Sequence, residues 1–132
     1  MDIITQISSY LTSSVTLNAT ITSPTLKSDP SSVAIRETPS SVSNRYMNTD
    51  KTINFQFQIL VKYPSIIKAR NTINDIFKKL DGLPSGAITS ADGSFSFTKC
   101  ECTTTPNWVE TNEKNEHTYT AMFVAELELG GL

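Results

Sequence analysis

Apolar residues hold every odd position from Ile53 to Tyr63. They are Ile53, Phe55, Phe57, Ile59, Val61 and Tyr63, while Asn54, Gln56, Gln58 and Lys62 fall between them. Period two predicts a strand, Thr52–Tyr63, with one buried and one polar face. A second such run, Tyr119, Ala121, Phe123, Ala125, Leu127 and Leu129, predicts a strand over Thr118–Leu129. Two other stretches follow helical spacing instead. Ile3, Ile4, Ile7, Tyr10, Leu11 and Val15 predict a helix over about residues 2–15, with Asp2 as its N-cap. Ile66, Ala69, Arg70, Ile73, Ile76, Phe77 and Leu80 mark one face of a second helix that can begin after Pro64. Lys78 and Lys79 in its last turn complement the helix dipole, and Gly82 is a suitable cap.

Weaker patterns fill the gaps. Val33–Thr38 reads as a short strand that Pro39 ends, because proline cannot donate to a ladder. A third strand runs from about Ser94 to Thr104: Phe95 and Phe97 alternate cleanly, and the later half is mixed. A short edge strand is expected around Leu17–Ile21. Ser40–Lys51 and Thr105–His117 read as polar loops. The order α-β-β-α-β-β predicts an α+β fold, a mixed or antiparallel four-stranded sheet with helices packed on one face and the other face half-solvated. A crossover through the second helix is right-handed if its two strands are parallel. One domain over residues 1–132 is expected, with a Ser/Thr-rich connection at 16–32 between the first helix and a sheet-and-helix core at 33–132.

Composition narrows the functional classes. The formal charge is −2, so overall electrostatics do not drive nucleic-acid binding. The longest apolar run, Ala121–Ala125, is far short of a membrane-spanning helix. No basic n-region or apolar h-region follows Met1-Asp2, so no secretory signal is expected and the sequon at Asn18 reads as chance. Charge is uneven: residues 1–66 hold 5 basic and 4 acidic groups, and the remainder holds 6 basic and 9 acidic.

Few residues suggest chemistry. Cys100 and Cys102 share one face of a strand, and with His117 they offer three soft metal ligands, one short of a closed zinc site. A regular strand also holds such a pair too far apart for a disulfide. Two small apolar side chains on a sheet face are the simpler account, so neither metal nor other cofactor is expected. His117 has no recognisable nucleophile or orienting carboxylate in sequence. Glu110, Glu113 and Glu116, like Glu126 and Glu128, read as a solvated face. Two features remain open: Trp108 either plugs the core or anchors an interface, and Arg45, Tyr46 and Met47 form either a disordered loop or a contact.

The succession of pieces resembles a known family. Pro39-Ser40-Ser41-Val42-Ser43-Asn44-Arg45-Tyr46-Met47 leads into the alternating strand Ile53–Tyr63, followed by a helix with Lys68-Ala69-Arg70. Thr104-Thr105-Pro106-Asn107-Trp108 and an acidic stretch with Asn112-Glu113 then precede the strand Tyr119–Leu129. Together these resemble the tail terminator and minor capsid proteins of long-tailed bacteriophages. The resemblance implies a structural virion protein at the head–tail junction, assembled in the host cytoplasm, rather than an enzyme. It implies a homo-oligomeric ring, typically a hexamer, that caps the tail tube, contacts tail tube and head-connector proteins, and lets DNA pass without sequence-specific binding. Arg45, Tyr46, Met47 and Trp108 are then candidate assembly residues. Another head–tail completion component is the nearest alternative, and a small binding domain or enzyme using Cys100, Cys102 and His117 is the alternative from a different class.

Overall fold

A computed structural model of the chain describes residues 3–15, 21–23, 26, 31–38, 41–45, 51–90, 93 and 95–129. The elements are α1 (Ile3–Ser14), β1 (Ile21–Thr22), β2 (Ser32–Glu37), β3 (Ser41–Arg45), β4 (Lys51–Tyr63), α2 (Ile66–Leu80), β5 (Ser96–Thr111) and β6 (His117–Leu129). The fold is α+β, with one mixed sheet and two helices. The sheet has six strands rather than the expected four, in the order β1-β2-β4-β6-β5, with β3 paired to β4. β1 runs parallel to β2, and every other pairing is antiparallel. β4 and β5 therefore point the same way on either side of β6, and α2 makes the crossover between them.

The two strands with apolar residues at successive odd positions form the centre. β4 and β6 pair in register along their whole length, from Lys51 opposite Leu129 to Tyr63 opposite His117. Phe57 and Phe123 sit directly opposite and stack with centroids 5.6 Å apart; Phe55 follows at 5.9 Å from Phe57. Against this face α2 buries Ala69, Thr72, Ile73, Ile76 and Leu80, and α1 buries Ile3, Ile7 and Leu11. All but Thr72 belong to one apolar cluster, each large side chain contributing about 1.5–3 kcal/mol by leaving water.

α2 starts at Ser65, whose side chain accepts from the Lys68 amide at 3.3 Å, so the N-cap lies one residue beyond Pro64. Ile66 was expected on the buried face but is exposed, with Ile67 beside it. β4 ends three residues earlier, and the first turn of α2 stands at the end of the sheet. At the other end Asp81 is the C-cap, and Gly82 follows at φ +78°, a conformation that glycine adopts without strain.

Two expected loops are partly strand. Within 40–51, β3 pairs antiparallel with the start of β4, so only 46–50 connects the two. Its composition, Ser, Val, Ser, Asn and Arg, holds one apolar residue and no alternation to read. Likewise β5 continues to Thr111, through most of the expected 105–117 loop. Register breaks between Phe97 and Lys99, Cys102 and Thr104, Thr104 and Asn107, and Trp108 and Glu110 explain the mixed pattern. Each bulge shifts the parity of inward positions, so Phe97, Cys100 and Trp108 all lie on the α2 side although their spacing is irregular. Of the strand expected at 17–21 only Ile21 is described, as the first residue of β1; 16–20 lie outside the described residues, as does Asp2.

The face of the sheet opposite α2 is less solvated than expected. Lys62, Thr118 and Thr120 are buried there, and Glu116 joins them at the mouth of the β5–β6 turn. Gln58 donates to the Thr120 hydroxyl at 2.9 Å, accepts from Arg36, and Thr120 donates to the Ile59 carbonyl at 2.8 Å.

Candidate assembly interface

The described residues gather no catalytic constellation. Cys100 and Cys102 sit on the core side of β5, and burial pushes the Cys100 thiol up to about 12, with the Asp81 charge acting in the same direction. Burial and Asp81 also raise Cys102, whose sulfur lies 3.1 Å from the Thr104 carbonyl. Thiols held in the neutral form are poor ligands and poor nucleophiles. His117 is the first residue of β6, and its Nδ1 meets the Thr111 hydroxyl at 2.9 Å across the hairpin. It is half-buried and pairs strand to strand, rather than lying on an exposed loop as expected. No group of three His, Cys, Asp or Glu able to hold a metal occurs among the described residues.

Glu116, expected on a solvated face, is buried. Its carboxylate lies 3.8 Å from Lys62 Nζ and accepts from the Asn112 side chain at 2.7 Å. The Asn112 side-chain oxygen accepts from the Lys114 and Glu116 amides, both at 3.0 Å, and Asn115 takes φ 59°. This network closes the β5–β6 turn, beside a polar groove of about 490 Å³ lined by Lys62, Thr111, Asn112, Glu113, Lys114 and Glu116. It organises a hairpin and presents no reacting pair.

Surface rather than cavity is what the fold leaves open. Among the described residues four large apolar side chains are exposed: Ile67 at 65%, Trp108 at 53%, Val109 at 43% and Ile66 at 38%. Trp108 is opposite Tyr119, on the α2 side of β5. Arg70 of α2 donates to the Tyr119 hydroxyl at 3.3 Å and lies over its ring at 6.0 Å. Trp108, Tyr119 and Arg70 thus form a band from the sheet edge to the helix. With half its area in water, Trp108 is no core plug, and its exposure suits an interface anchor. Arg45 ends β3 on the opposite side of β4, so the structure does not bring it near Trp108. Tyr46 and Met47 lie outside the described residues. Ile67 and Val109 were missed by sequence reasoning: Ile67 falls off the helical stripe, and Val109 sits at a bulge that periodicity does not reveal.

Such a surface is suited to contacts with other proteins. The chain belongs to the bacteriophage tail terminator protein family, whose pattern matches residues 10–129. It is a structural virion protein that assembles with other tail and head proteins. Its fold is similar to that of a chain in a structure described as the virion of a native gene transfer agent (GTA) particle. The TM-score is 0.51 at 10% identity, covering 92% of this chain and 84% of that one. No curated protein matches significantly.

Proposed function

We propose that this tail terminator acts by ring assembly: copies of one folded unit, 1–132, close on themselves, cap the tail tube and join it to the head connector. The observation that carries the reading is the family match over residues 10–129, joined to an exposed apolar edge where an enzyme would carry a pocket. Six copies are proposed, with the ring at the head–tail junction, assembled in the host cytoplasm before incorporation. The protein performs no reaction and needs no cofactor. DNA passes through the lumen without sequence-specific contacts, in keeping with a net charge of −2 and the acidic excess after residue 66. Arg45, Tyr46, Met47 and Trp108 are the proposed assembly residues, since Arg, Tyr and Trp are the side chains that most often dominate interface energy.

Native mass spectrometry of the protein with its tail tube protein tests this. A discrete ring bound to the tube is expected, and Arg45→Ala with Tyr46→Ala should reduce ring or joining yield without lowering the melting temperature of the free chain. A protein that stays monomeric with the tube present contradicts the proposal.

A further inference from the structure

The outer edge of β5 is treated in two ways by the rest of the chain. From Ser96 to Cys102 it is covered by the segment that follows α2. The Gly82 amide donates to the Cys100 carbonyl at 2.8 Å, and the Gly86 amide donates to the Phe97 carbonyl at 3.0 Å. Leu83 and Thr89 bridge to Cys100 and Ser96. Where the covering segment leaves, the Asp81 carboxylate accepts from the Cys102 amide at 2.9 Å, replacing a strand's carbonyl. Beyond that point, among the described residues, no strand or segment pairs with the outer edge of 103–111. This half is exposed at eight of its nine residues, with only Pro106 half-buried, and it carries Trp108 and Val109. An open edge rich in Thr, Val and Trp is a template for another strand, and folds normally blunt such edges with lysine, proline or cover. Here Pro106 is the one blunting residue, and 103–113 contain no Lys or Arg.

We infer that the open half of β5 is a strand-pairing surface that receives the β2–β3 edge of a second copy of this chain. The inference rests on the ring reading and says which surfaces meet. On the far side of the sheet, β2 beyond Ala34 and the outer side of β3 have no pairing among the described residues. The two edges are complementary in charge. Leaving aside Glu116, which pairs with Lys62, the open half and its turn contribute Glu110, Glu113 and Lys114, a net −1, whereas β2 and β3 contribute Arg36, Glu37 and Arg45, a net +1. The open half lies at the end of the sheet where α2 begins, and β3 at the other end, so the edges occupy diagonally opposite corners. Joining unlike corners is a heterologous contact, the kind that generates rings when the rotation closes. It also places Trp108 of one copy against the Arg45 edge of the next, bringing into one interface two residues that a single copy holds apart. A like-with-like pairing of two β5 edges would instead face Glu110 with Glu110 and stop at a dimer.

Amide hydrogen exchange on the monomer and on the assembled ring reads this directly. In the ring, amides in 103–111 and in Arg36, Glu37 and 41–45 should slow by about tenfold or more, as pairing replaces solvent. Val109→Lys should raise the protein concentration needed for assembly by about tenfold or more with an unchanged melting temperature. Glu110→Lys should weaken assembly, and Arg45→Glu added to it should restore part of the loss. If a ring forms while 103–111 exchange as fast as in the monomer, the edge assignment is wrong and the ring reading stands. Protection of 103–111 on the tube with the β2–β3 edge left unprotected assigns the open half to the tube and overturns the copy-to-copy contact. Absence of any ring, with or without the tube, overturns both.

Discussion

The two halves of β5 share one backbone, one partner strand and nearly one length, and they meet different fates. Ser96–Cys102 is enclosed on both edges: β6 pairs with one, and the 81–89 segment holds the other through backbone bonds and the Asp81 carboxylate. Residues 103–111 have β6 alone, three bulges or register breaks, and side chains that face water. The covered half puts Phe97 and Cys100 into the core, and the open half puts Trp108 and Val109 outside it. The same strand is therefore structural at one end and available for contact at the other. Bulges keep Trp108 on the same face as Phe97 and Cys100, so the difference lies in the 81–89 segment, which reaches only as far as Cys102.

Substitutions in the two halves should separate stability from assembly. The largest expected effect is Phe97→Ala, which removes a buried ring and should cost about 3–5 kcal/mol of folding stability. Trp108→Ala should change chemical-denaturation stability by less than about 1 kcal/mol while lowering assembly yield. Equal destabilisation by the two would erase the distinction. Next comes Glu116→Ala, which opens the turn at the end of the open half and strips a partner from buried Lys62. About 2 kcal/mol of stability should be lost, read from the urea midpoint, with the loss smaller in Glu116→Gln because its amide oxygen can still accept from Asn112.

Asp81→Ala sharpens the boundary itself. It frees the Cys102 amide, and about 1 kcal/mol should go together with faster exchange at Cys102, whereas Asp81→Asn should keep most of the bond. The covered half also has a pH signature. Cys100 loses its proton at about 9 when unfolded and at about 12 when folded, so the unfolded chain releases it first. Above about pH 9 the unfolded state gains from that release, and stability should fall with rising pH; Cys100→Ala should flatten this alkaline slope. The smallest effect is expected at Tyr63, whose buried hydroxyl has no hydrogen-bond partner among the described residues. Tyr63→Phe should leave stability unchanged or raise it slightly, because it removes an unsatisfied group and keeps the ring.

How far this could be read beforehand depended on locality. β4 and β6 were legible because six alternating apolar residues in each leave one possible face, and Phe57 and Phe123 indeed meet at the centre. The α2 stripe was legible apart from its first turn, where the end of the sheet, a tertiary fact, exposes Ile66. β3 was hidden because its pairing with β4 relies on backbone bonds and carries almost no apolar pattern. The end of β5 was hidden because bulges scramble period two. Glu116 looked like one of three solvated acids, and only the approach of Lys62 from another strand buries it. Of the candidate interface, Trp108 was recognisable by residue type, but its exposure, and its place on an edge opposite Arg45, belong to the topology.

Electron cryomicroscopy of the head-proximal end of the tail tube tests the central claim most directly. The expected result is a closed ring of this protein at that end, with residues 103–111 of each copy lying against the β2–β3 edge of the next. A tube end without the ring, or a ring in which 103–111 face solvent, would contradict it.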